Sequence, residues 1–166
     1  PTLNPPIALP GAFTDAINKG LEFTAANDAL LTLGIKPSRP DTGYGYIQFV
    51  DNGSKDLNQI LRVKTFTEKP NFEMAKFFLE TGEFVWNAGI FLWNLKSITL
   101  ALKNYLPEMH AIFNEGKENF YTNKEEDFIR NAYTQCTNIS VDFGVMEKAS
   151  NVHVMSADFG WSDLGT

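Results

Sequence analysis

A chain of 166 residues, 43% hydrophobic and 20% charged, has the composition of a folded domain and excludes a disordered or fibrous one. With 14 Lys and Arg against 20 Asp and Glu, the net charge of −6 argues against nucleic acid or an anionic membrane as partner. Any phosphate must therefore be held by one or two placed cations. Cys136 is the only cysteine, so no internal disulfide can form and a reducing, cytoplasmic setting is expected. Neither His110 nor His153 forms a motif with it, and Cys136 reads as a small, buried or half-buried thiol. No apolar run reaches ~18 residues, and no basic stretch followed by an apolar one opens the chain. Neither a membrane span nor a signal peptide is expected.

In chain order, residues 1–12 hold a Pro-rich stretch expected to be irregular or of cloning origin. Phe13, Ala16, Ile17, Leu21 and Ala25 share a helical face, with Asn27 as a stop. Ala29–Gly34 is a short apolar run, expected as a buried strand of a parallel or mixed sheet. A loop with two prolines and two glycines leads into a strand near Tyr46–Val50. Turn chemistry at Asp51–Ser54 joins it to an alternating strand at Ile60–Phe66. Asn71 predicts a helix cap, with Met74, Phe77, Phe78 and Thr81 inward and Gly82 closing the helix. Phe84–Trp93 predicts a strand, and Leu95–Leu106 a helix ended by Pro107, with a short continuation through Phe113. Asn123 and Glu126 have capping-box spacing before a further helix, and Asp142 is a candidate cap for a short one through Lys148. Asn151–Ser156 alternates as a strand, followed by a Gly-rich turn. Helices and strands alternate throughout, so the class is α/β. No Gly-rich nucleotide-binding fingerprint occurs in the chain.

The chemistry-bearing residues cluster between Phe66 and Trp93. Pro70 disfavours a helical Lys69 and predicts an extended one, with Glu68 and Lys69 on opposite sides of a strand end. An ammonium there suits a phosphate, and a carboxylate suits sugar hydroxyls. Taken alone, the pair is also what a solvated strand end looks like. Asn87 carries both a donor and an acceptor, matching a hydroxyl, and Gly89 would allow close backbone approach. Glycines in Thr42–Tyr46 would expose backbone groups to a ligand, or simply form a tight turn. Asp163, in the turn Gly160–Gly165, is a carboxylate of the kind Mg²⁺ accepts, and equally an ordinary turn former.

The set GYGYI, FTEKP, WNAGIF, SVDFGVMEK and FGWSDLG, in this order, resembles the sugar-nucleotide pyrophosphorylases. The segment LTLGIKPSRPDTGYGYI is most like the branch that couples GTP to mannose 1-phosphate. The resemblance spans about residues 13–166. It implies a Rossmann-like, mixed and mostly parallel sheet flanked by helices, of the nucleotide-diphospho-sugar transferase type. The activity implied is transfer of a nucleotidyl group to a sugar 1-phosphate with release of pyrophosphate, assisted by Mg²⁺. By the same resemblance, Gly45, Glu68 and Asn87 would bind the sugar, Lys69 its phosphate, and Asp163 the metal. Lys69 and Asp163 would thus be the catalytic pair, and Asp142 and Glu147 structural. The family's N-terminal phosphate loop and second metal-binding aspartate have no counterpart here. Residues 13–166 are accordingly expected to form the sugar-phosphate half of a catalytic domain, inactive by itself and with a sheet edge that invites dimerisation. A thymidylyl- or uridylyl-transferring relative, or a non-catalytic sugar-nucleotide-binding homologue, stays open.

Overall fold

The structure, a computed structural model, describes residues 10–50 and 59–161. The Pro-rich opening, the expected turn at 51–54 and Asp163 lie outside the described residues. Two compact units emerge: residues 1–94 with 150–166, and residues 95–149.

The first unit is a mixed sheet with helices. Its strands are β1 (Leu30–Ile35), β2 (Tyr46–Phe49), β3 (Ile60–Thr67), β4 (Phe84–Trp93) and β5 (Val152–Ser156). β1, an apolar run without alternation, is buried along its length; β4 and β5 pair with its two edges, and Leu31 and Leu33 pack with Phe13, Ile17 and Phe159. β4 also pairs with β2. β3 bridges the sheet, pairing through Ile60–Arg62 with β5 and through Val63–Thr67 with β2. Its side chains accordingly alternate less cleanly between buried and exposed. The α/β class and mixed sheet are as expected, but β1–β5 is the one parallel pairing among the described strands. The other pairings, β1–β4, β2–β3, β2–β4 and β3–β5, are antiparallel, so the expected mostly parallel sheet is not found among them.

α1 (Pro10–Ala26) begins three residues earlier than the apolar pattern. It buries Gly20 and Thr24, whereas Leu21 and Ala25 face outward. The rotation follows from Gly20, where a methyl group would collide with Leu31 and Leu92 and keep the helix off the sheet. α2 (Phe72–Thr81) is capped as expected: Asn71 Oδ1 accepts the Met74 N–H at 2.9 Å, and Gly82 closes the helix at φ 70°. Its buried stripe is Ala75 and Phe78, not the expected Met74, Phe77 and Thr81. Phe78 stacks on Phe84 with ring centroids 4.0 Å apart and meets Tyr46 at 5.3 Å. The small side chain of Ala75 lets that contact close.

The second unit holds α3 (Leu95–Tyr105), α4 (Pro107–Glu115) and α5 (Glu125–Gln135). Pro107 starts α4 rather than merely ending α3, a position where its missing N–H is harmless. The expected capping box at Asn123 does not form; Glu125 instead accepts the Tyr121 N–H at 2.6 Å. Asp142 is the first residue of a wide turn, Asp142–Met146, and the cap position before it is Val141.

Candidate functional site

Register builds the site. Tyr46 pairs with Thr67 on one side and with Trp86 on the other. One step along each antiparallel ladder sets Gly45 between Glu68 and Asn87, and all three project to the same face. Two observations agree with that row. The Asn87 N–H donates to Gly45 O at 2.8 Å. A Cβ added to Gly45 would collide with Glu68 Oε2 and lie 3.4 Å from Asn87 Cβ. The row continues on β1 at Gly34, the partner of Asn87. Glycine at 45 thus leaves room for the Glu68 carboxylate to lie against its backbone, beside Asn87.

Asn87 is held by a bulge. Between the pairs Thr32↔Phe91 and Gly34↔Asn87, β4 carries extra residues, and Gly89 takes φ 69° within them. Gly89 is therefore the bulge residue. Its N–H turns back to Asn87 Oδ1 at 3.1 Å, and Thr32 Oγ1 reaches the same oxygen at 3.0 Å.

Lys69 follows Glu68 at the end of β3 but is not extended. Its φ is 47°, in the left-handed region, and the residue is exposed. A non-glycine residue there costs about 1–2 kcal/mol. The fixed ends explain its persistence: the β3 ladder lies on one side, while buried Pro70 and capped Asn71 lie on the other. The sharp turn brings α2 back under the sheet.

On the opposite face of the same strands lie Tyr44, Tyr46 and Trp86, packed with Ala75, Phe78 and Phe84. Tyr44 meets Trp86 at 4.9 Å and Trp161 at 5.3 Å, both edge to face. The loop before Gly45 is tied down there by residues that sequence reasoning had not selected. Arg39 bonds Asp41 Oδ2 (Nε at 2.9 Å, a terminal nitrogen at 2.6 Å) and lies over the rings of Tyr44 and Trp86, at 5.7 and 5.3 Å. The Asp41 hydrogen bond pushes the guanidinium above its ordinary range. Asp41 also accepts the Gly43 N–H at 2.8 Å and exchanges backbone bonds with Tyr46 OH. The signal for this clasp was the spacing Arg39-Pro40-Asp41 before the glycines. Trp86 Nε1 is buried with no hydrogen-bond partner among the described residues.

Of the expected site residues, the structure brings together Gly45, Glu68 and Asn87, and puts Lys69 next in sequence on an exposed turn. Among the described residues no group of three or more His, Cys, Asp or Glu could hold a metal. None of their helices is long and apolar enough to cross a membrane.

The nucleotidyl transferase family profile matches residues 11–166. The chain belongs to that family. Among curated nucleotidyl transferase relatives, mannose-1-phosphate guanylyltransferase of Escherichia coli is 36% identical over 157 residues, covering 92% of this chain and 33% of the relative. Its namesake in Sinorhizobium fredii is 39% identical over 147 residues, covering 87% and 28%. The chain thus spans about a third of the length of these relatives. A crystal structure described as mannose-1-phosphate geranyltransferase from Thermus thermophilus superposes with a TM-score of 0.79 at 29% identity, over 93% of this chain and 42% of that one. A mannose-6-phosphate isomerase from Helicobacter pylori, at TM-score 0.72 and 24% identity, covers 92% of this chain and 58% of its own, and shares the fold.

Proposed function

We propose that the whole protein is a nucleotidyltransferase that makes GDP-mannose and pyrophosphate from GTP and mannose 1-phosphate. The observation that carries this is the row Glu68–Gly45–Asn87, in a family whose similar members are named for mannose 1-phosphate. A carboxylate and an amide flanking a bare backbone suit the hydroxyls of a hexose. Lys69, exposed on the turn beside Glu68, would neutralise the sugar phosphate. One phosphate oxygen of mannose 1-phosphate attacks the α-phosphorus of GTP, and the bond to pyrophosphate breaks. Such transfer needs little covalent work from a protein, so positioning and charge carry the rate.

Mg²⁺ belongs to the proposal on donor chemistry: it takes one or two carboxylates together with phosphate oxygens, and Asp163 supplies such a carboxylate. Bound there, it would offset phosphate charge. A cytoplasmic setting, on the ground of the lone Cys136, belongs to the same reading; the expected sheet edge does not, since each strand pairs with two neighbours among the described strands.

The test is nucleotide-sugar formation by the purified whole protein, offered GTP, UTP or dTTP with mannose 1-phosphate or glucose 1-phosphate. GDP-mannose should dominate. Preference for UTP or dTTP would assign another branch of the family, and binding without turnover a non-catalytic homologue.

A further inference from the structure

We propose that Thr32 is a positioning residue for the sugar, acting through Asn87. The inference rests on the site reading above and names a second donor that, with Gly89 N–H, holds the polarity of its amide. Thr32 is fully buried in β1, a lone hydroxyl among Leu30, Leu31 and Leu33. Such a group is tolerated in a core where it is hydrogen-bonded. Its Oγ1 lies 3.0 Å from Asn87 Oδ1, 3.2 Å from Ile90 O and 3.5 Å from Leu33 O. A hydroxyl has one proton to give, and Asn87 Oδ1 is the nearest acceptor.

The amide orientation is decided by the backbone. Gly89 N–H can only donate, and it meets the same Asn87 atom at 3.1 Å, so that atom is the oxygen. With two donors converging on Oδ1, Nδ2 becomes the donor end of the side chain. An Asn87 held this way offers hydrogen to a lone pair of a sugar oxygen. A turned amide would instead set oxygen against oxygen. Thr32 is fully buried beneath this arrangement and touches no ligand itself, which makes its role one of orientation.

The experiment uses the whole protein with Thr32→Val, which keeps size and strand preference but removes the donor, and Thr32→Ser, which keeps the hydroxyl. Thr32→Ala is the second donor-free variant, in case valine folds poorly. Thr32→Val should raise the KM for mannose 1-phosphate about three- to tenfold, the worth of one hydrogen bond, with the KM for GTP within about twofold. Thr32→Ser should restore it. In an Asn87→Ala background Thr32→Val should add nothing, an outcome a merely structural threonine would not produce. An unchanged mannose 1-phosphate KM in an active enzyme, or an equal effect with and without Asn87, overturns the proposal. A wild type that forms no GDP-mannose would instead overturn the functional reading on which it stands.

Discussion

Replacing Gly45 with alanine separates the two jobs a glycine can have. Gly45 is not among the residues with positive φ, so alanine can adopt its backbone conformation and the effect is steric alone. The new methyl would overlap Glu68 Oε2 and come within 3.4 Å of Glu68 Cδ and Asn87 Cβ. Glu68 is half-buried and ends a flexible side chain, so the overlap is relieved by swinging its carboxylate out of the row. The fold then loses about 1 kcal/mol or less, the low end of overpacking costs. The site loses more. A hydrogen bond to a charged group contributes about 1.5–3 kcal/mol, which corresponds to about a 10- to 150-fold fall in kcat/KM for mannose 1-phosphate. Pyrophosphate release by the whole protein, at saturating GTP and varied mannose 1-phosphate, measures it directly. A Gly45→Ala enzyme within about twofold of wild type would refute the row as the sugar floor.

Two further outcomes are expected. Asn71→Ala removes the side-chain bond to Met74 N–H and should lower the unfolding free energy by about 1 kcal/mol in urea titrations, while Asn71→Gly costs only a few tenths; equal losses would mean the cap is not the cause. Glu147 is held above the ordinary carboxylate range, first by burial and then by Asp142. Its raised folded-state pKa means the native state binds more protons just above the ordinary carboxylate pKa. The protonated form therefore stabilises the fold at lower pH, and this is lost as pH rises through the folded value. Glu147→Gln should flatten that part of the stability–pH curve and raise stability at neutral pH relative to wild type; an unchanged curve would show that the glutamate feels no such environment.

The sheet was legible because its strands obey simple rules: β1 is an apolar run, and the segments of β3 and β5 alternate in sequence. The α2 cap was legible because Asn71 and Gly82 each serve one local geometry. The inward faces of α1 and α2 were legible only in part: Phe13, Ala16, Ile17 and Phe78 pack inward as expected, but a hydrophobicity pattern favours large residues and misses Gly20 and Ala75, which decide how closely each helix approaches. Lys69 failed for a related reason. The local preference before Pro70 is extended backbone, but β3 and α2 fix both ends of a turn too short to honour it. Strand polarity also escaped: an apolar β1 announces burial, not the direction of its neighbours.

The two faces of β2 and β4 explain why the site residues were conspicuous in sequence although their contacts were not. Tyr44-Gly45-Tyr46 and Trp86-Asn87-Ala88 alternate bulky aromatics with small or polar residues. The aromatics fill the α2 side, where Arg39 and Asp41 clasp the loop from outside. That filled face holds the backbone of Gly45 and Asn87 in register, and on the other face the Glu68 carboxylate takes the space that glycine leaves. A glycine between two tyrosines is therefore not a flexible turn. Its missing side chain is what lets the Glu68 carboxylate lie across the strand beside Asn87, with the rings anchoring the reverse side.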